Sequence, residues 1–126
     1  MRTIENDLLT EKIIGCAIEV HRGLGPGLLE SAYEECLCFE LGQARLRYER
    51  EIPLRIIYKD VRLDCGYRMD IVVEGQIVIE LKTVDRLAPI HEAQLLTYLK
   101  LSRIKTGLLL NFNSATLREG LRRMVL

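Results

Sequence analysis

The stretch Gly66 to Thr83, GYRMDIVVEGQIVIELKT, holds two apolar runs separated by Glu74-Gly75-Gln76. Residues two apart in a strand share a face, so Glu80 and Lys82 project together while Ile77, Ile79 and Leu81 project from the other side. The earlier run, about Gly66 to Val73, sets Asp70 beside Ile71 and Val73 as one acid in a segment otherwise suited to burial. Directly opposed residues of a hairpin share a face, so a loop with an odd number of residues brings Asp70 opposite Glu80. Glu74-Gly75-Gln76 is such a loop, with a glycine for the turn, and the same register pairs Ile71 with Ile79 and Val73 with Ile77. The apolar pattern and the acids thus prefer one alignment.

Working outward, Ile52, Leu54, Ile56 and Tyr58 alternate as in a half-buried strand, and Lys59-Asp60 reads as a turn. Upstream, Leu9, Ile13, Ile14, Ala17, Ile18 and Val20 recur at helical spacing from about Asp7 to His21, and a second helix runs from about Leu28 into the low forties. Between them, Gly23-Leu24-Gly25-Pro26-Gly27 stops the first helix. It follows a helix rather than a strand, which separates it from a phosphate loop. Downstream, Pro89 suits the first turn of a helix, and Glu92 lies close enough to favour its positive end. That helix lasts to about Ser102; a buried strand at Thr106 to Phe112 and a short unassigned element follow. The order α-α-β-β-β-α-β gives an α/β fold with a mixed central β-sheet flanked by helices. No repeat or linker divides residues 1–126, so one domain is expected.

The chain is 126 residues long with 48% hydrophobic and 29% charged residues, a globular balance that needs no staple to fold. No apolar stretch approaches the roughly 18 residues of a membrane span. Charges interrupt the N-terminal region where a signal peptide's apolar core would run, so the expected location is the cytoplasm. Cys16, Cys36, Cys38 and Cys65 lack paired zinc spacing and read as reduced thiols. The formal net charge of zero argues against a protein whose affinity for nucleic acid comes from bulk positive charge. From Leu101 onward, however, five basic residues face one acidic, giving +4, either as a solvated tail or as a phosphate-facing strip.

Two like charges about 4 Å apart repel by on the order of 4 kcal/mol at an effective dielectric of 20. Asp70 and Glu80 together therefore call for a cation or a raised pKa. Oxygen ligands without histidine or cysteine favour Mg²⁺ or Mn²⁺ over zinc. Lys82 beside that cation is placed to hold or polarise a water. Taken alone, E-x-K also describes an ordinary ion pair on a solvated strand. Glu30 lies within about 20° of Leu37 and Leu41 around its helix, in a largely apolar sector that Tyr33 adjoins. His91, Gln94 and Tyr98 occupy a sector about 60° wide, a polar and aromatic stripe suited to a phosphate or to orienting the site. For His91, a helix-cap or interface role is the preferred reading.

Gly27-Leu28-Leu29-Glu30-Ser31-Ala32-Tyr33 resembles the motif of the GxxExxY family, a branch of the PD-(D/E)xK nuclease superfamily. Asp70 and Glu80-Leu81-Lys82 resemble that superfamily's Asp and E-x-K elements, and Gln94-Leu95-Leu96-Thr97-Tyr98 resembles the Q-x-x-x-Y element of its RecB-like members. The similarity spans nearly the whole chain, and four elements occur in the expected order. It implies a restriction-endonuclease-like core and a metal-dependent nuclease acting on nucleic acid, with DNA as the expected substrate. By the same resemblance, Asp70, Glu80 and the backbone carbonyl of Leu81 bind Mg²⁺ or Mn²⁺, and Glu30 completes or supports the metal site. Lys82 acts on the nucleophilic water; Gln94, Tyr98 and Tyr33 bind substrate or organise the site. Relatives that carry an iron–sulfur cluster place most of its cysteines after the Q-x-x-x-Y element. All four here precede Asp70, so no iron–sulfur cluster is expected.

The alternative is a nucleic-acid-binding or assembly module that keeps the fold with little turnover. A Ser-His-Asp hydrolase is poorly supported, with only His21 and His91 available and no G-x-S-x-G elbow. A minimal core has little surface with which to grip a duplex, so a homodimer is also expected.

Overall fold

Thr3 caps the first helix, its Oγ1 accepting the Asn6 N–H at 3.0 Å, and Glu5 and Asp7 favour the positive helix end. The computed structural model describes residues 3–64 and 66–126, and in it this helix, α1, runs Ile4–Leu24. The cap extends it at the start. At its end Gly23 stays helical, and Gly25, at φ 67°, stops it by donating to the His21 carbonyl at 2.8 Å. The second helix, α2, runs Glu30–Gln43. Strand β1 (Tyr48–Pro53) follows, then a ribbon of β2 (Ile56–Tyr58) and β3 (Val61–Leu63), then β4 (Arg68–Val73) and β5 (Ile77–Lys82). Helix α3 (Pro89–Ser102) leads to β6 (Thr106–Asn111), and a short 3-10 turn leads to β7 (Leu121–Val125).

Five strands form one sheet in the order β1-β4-β5-β6-β7, while β2 and β3 pair only with each other. The pairings are antiparallel except β5 with β6, which is parallel because α3 crosses between them. This is the expected α/β class with a mixed sheet flanked by helices. The β4–β5 register is the expected one, Ile71 opposite Ile79 and Val73 opposite Ile77. Its loop places Glu74 and Gly75 at φ 53° and 65°. The Arg47 N–H, donating to Glu74 Oε2 at 2.6 Å, helps hold a non-glycine residue in that conformation.

Period-two alternation divides the core. Ile71, Val73, Ile77, Ile79, Leu81, Leu108 and Leu110 bury one sheet face against α1 and α2, joined there by Leu9, Ile13, Leu37 and Leu41. Val72, Val78 and Leu109 bury the other face against Leu95, Tyr98 and Leu99 of α3. Glu80 and Lys82 continue that second face.

Two expectations change. The alternation from Ile52 to Tyr58 is not one half-buried strand. Pro53 ends β1, Leu54 is buried, and Tyr58 lies on the separate ribbon at 62% exposure. Leu54 is therefore an anchor at a break, since proline cannot donate to a continuing ladder. The unassigned final element is the edge strand β7. Its Arg123 does not belong to a phosphate-facing strip, because its guanidinium donates to Asp7 Oδ1 at 2.7 Å.

Gly120 sits where a Cβ would overlap the Asn111 carbonyl and the Ser114 hydroxyl. Gly120→Ala should cost about 1–3 kcal/mol through this overpacking. Urea denaturation measures it, and an unchanged midpoint would show that the β6–β7 connection yields without cost.

Candidate active site

Paired backbone groups end at Ile71 and Ile79, and beyond them side chains take over. The Asp70 N–H donates to Glu80 Oε2 at 2.8 Å, and the Leu81 N–H donates to Asp70 Oδ2 at 2.8 Å. Each acid thus accepts an amide of the other's strand. Among the described residues, no further hydrogen bond engages either carboxylate, leaving Asp70 Oδ1 and Glu80 Oε1 for another partner. Within a strand residue the N–H and C=O point to the same edge, so the Leu81 carbonyl leaves toward Asp70 as well. The next residue points the other way, its Lys82 carbonyl accepting the Phe112 N–H at 3.0 Å.

Burial dominates the electrostatics. It pushes the Glu80 carboxyl up to about 8, reinforced by Asp70 and Glu30 and opposed by the Asp70 amide and Lys82. It also pushes Asp70 up to about 6, opposed by the Leu81 amide and reinforced by Glu34, Glu30 and Glu51. The Lys82 Nζ donates to Gln94 Oε1 at 3.3 Å, so α3 helps hold the ammonium beside the acids. Tyr98, one turn further along α3, is buried; burial raises its pKa, followed by the charges of Glu80 and Asp70 and by Tyr67.

Two acids had escaped the sequence reading. Glu34, Glu51 and Asp70 bring one carboxylate oxygen each within 4.8 Å of one another. Glu34 follows Glu30 by four residues and so shares its helix face, a signal that was available. Glu51 had no such signal. It takes φ 50° in the middle of β1, a conformation that L residues rarely adopt, in the stretch facing Asp70. Arg50, the preceding residue, donates to Glu34 Oε2 at 2.8 Å and to Glu35 Oε1 at 2.8 Å.

Glu30 itself is exposed at the first turn of α2 and reaches Asp70 and Glu80 through its charge rather than by a hydrogen bond. Tyr33 lies inside the core. Its hydroxyl donates to the Gly25 carbonyl at 2.5 Å and accepts the Leu28 N–H at 3.1 Å, and its ring stacks on Phe112 at 4.6 Å. It is fully buried, with its hydroxyl committed to the backbone before α2. His91 is a cap, its Nδ1 accepting the Ala88 N–H at 2.9 Å.

Asn111, also missed, is buried and clamps the loop after Lys82. Its Oδ1 accepts the Val84 N–H at 3.0 Å and its Nδ2 donates to the Val84 carbonyl at 2.8 Å. Cys16, Cys36 and Cys38 are free thiols, and burial raises the pKa of Cys16 and takes Cys38 to about 11. The reading of Cys65 lies outside the described residues.

A mixed sheet whose central hairpin gathers a buried and a half-buried acid, mutually repelling, beside a lysine is the class of α/β site that suits a divalent cation. The chain belongs to the PD-(D/E)XK nuclease superfamily, whose model matches residues 7–124. Comparisons with curated proteins and with solved structures returned no match.

Proposed function

We propose that this chain is a Mg²⁺- or Mn²⁺-dependent phosphodiesterase that cleaves DNA, in the manner of the GxxExxY branch it resembles. The observation that carries the proposal is the pair Asp70 and Glu80. Glu80 is buried and Asp70 half-buried, both are raised in pKa, and each has one oxygen engaged by an amide and one open. Such a donor set fits a hard divalent cation, which would relieve the repulsion that burial imposes. Asp70, Glu80 and the Leu81 carbonyl would hold it, with Glu34 and Glu51 adding negative charge beside Asp70.

When bound, the cation supplies Lewis-acid stabilisation of charge on the phosphate. Lys82 orients the attacking water and shares the developing charge, while Gln94 fixes the ammonium. Tyr98 closes the α3 side of the site. The neutral chain makes an added cation still more necessary, because the acids by themselves repel a polyanion.

Incubation of the purified chain with single-stranded, duplex and branched DNA should give cleavage with Mg²⁺ or Mn²⁺ and none in chelator. Intact substrates under all conditions, with metal leaving the melting temperature unchanged, would replace the enzyme by a binding module.

A further inference from the structure

Between β1 and β4 the chain leaves the sheet as the β2–β3 ribbon. Its register pairs Ile56 with Leu63, Ile57 with Arg62, and Tyr58 with Val61, around a turn in which Lys59 takes φ 54°. Ile57 and Tyr58 are each 62% exposed and Val61 is 53% exposed, so the ribbon presents apolar surface that no other described residue covers. Its root is firm: the Leu54 N–H donates to the Tyr67 carbonyl at 2.8 Å, and Leu54 is buried with Met69, Leu95 and Tyr98.

The ribbon is also basic. From Arg55 to Arg68 there are four basic residues (Arg55, Lys59, Arg62, Arg68) against two acidic (Asp60, Asp64), a net +2 in a chain whose total is zero. Among the described residues, Arg55, Lys59 and Arg62 form no ion pair. Lys59 Nζ stands 5.4 Å from the centre of the Tyr58 ring, a cation beside an aromatic face. The ribbon's root adjoins the acids: Arg68 acts electrostatically on Glu51, and Tyr67 on Tyr98.

We propose that the β2–β3 ribbon is an arm that holds an unpaired stretch of nucleic acid at the mouth of the acidic site, with a base stacked on Tyr58 and phosphates met by Arg55, Lys59 and Arg62. The arm's role in presenting substrate rests on the nuclease reading. Charge complementarity selects the occupant: five acids around the centre repel a polyanion, and the ribbon, rooted next to them through Arg68, offers cations that form no ion pair among the described residues. The exposed side chains select an unpaired strand over a duplex. Groove readout uses hydrogen-bonding groups at base edges, whereas Ile57, Tyr58 and Val61 are suited to the flat face of a base.

Fluorescence anisotropy with a labelled oligothymidylate and a mixed-sequence duplex, in chelator to block turnover, tests the arm on the full chain. Tyr58→Ala should weaken oligothymidylate binding about 5- to 150-fold, Tyr58→Phe should keep it, and neither should move the melting temperature. Arg62→Gln should reduce the slope of log affinity against log salt by about 0.7. The proposal is overturned if the wild type does not bind oligothymidylate, if Tyr58→Ala binds like the wild type, or if Tyr58→Ala instead converts a sedimenting dimer into a monomer, which would make the ribbon a contact with a second copy. Tyr58-dependent binding without Mg²⁺-dependent cleavage would leave the arm and remove the nuclease. Cleavage indifferent to Tyr58→Ala, with unchanged binding, would do the reverse.

Discussion

In chelator, the folded protein should lose on the order of 4 kcal/mol of stability between pH 5 and pH 8, and Glu80→Gln should remove most of that loss. Glu80 is pushed from its ordinary 4.5 up to about 8 by burial and then by Asp70. Between those values the native state holds a proton that the unfolded chain has released, so unfolding free energy falls as pH rises. The stabilising contribution of the neutral carboxyl is complete below about pH 4.5 and gone above about pH 8. Asp70 acts in the same direction at lower pH, up to about 6, but part of its shift is the same mutual repulsion and is not added again. Urea denaturation at several pH values measures the slope. A flat wild-type profile, or a Glu80→Gln protein less stable than wild type at pH 8, would mean that Glu80 is a structural partner. Mg²⁺ at 100 times its Kd should restore about 2.7 kcal/mol to the wild type and nothing to the variant.

Lys82→Ala should separate metal binding from cleavage. Lys82 lies beside the acids through its contact with Gln94, and in the proposed reaction it acts on water and phosphate. Its loss should lower cleavage about 10²- to 10⁴-fold while metal still raises the melting temperature. It should also extend the pH-dependent loss in chelator to higher pH, because Lys82 is one of the groups that favour the charged form of Glu80. Lys82→Arg should restore little, since a planar guanidinium does not reproduce a compact ammonium. Full cleavage by Lys82→Ala would remove Lys82 from the chemistry. Loss of metal-induced stabilisation would place it among the groups that shape the metal site.

The hairpin that gathers Asp70 and Glu80 was legible because period-two alternation and an odd loop leave one register that satisfies both the core and the acids. The α3 stripe was legible for the same reason at helical period, with Gln94 reaching Lys82 and Tyr98 closing the same face. Glu51 was not legible. Its position depends on a left-handed backbone conformation inside a strand, which nothing in the side-chain pattern announces. Glu34 was obscured by Glu30, which the motif emphasised although helix geometry places both on one face. The ribbon was misread because Ile52, Leu54, Ile56 and Tyr58 keep strict alternation across a break at Pro53. Asn111 gave no warning, since its value lies in reaching a backbone segment 27 positions away in sequence.

Phe112 acts as an index mark between two parts of the site that are far apart in the chain. Its ring registers the rotation of α2 through Tyr33, and its amide registers the height of β5 through Lys82. The azimuth of Glu34 and the height of Lys82 are thus referred to one residue at the end of β6. One residue inserted between Tyr33 and Glu34 would turn Glu34 by about 100° while Tyr33 stayed seated. The spacing from Glu30 to Tyr33 to Glu34 is therefore an angular specification.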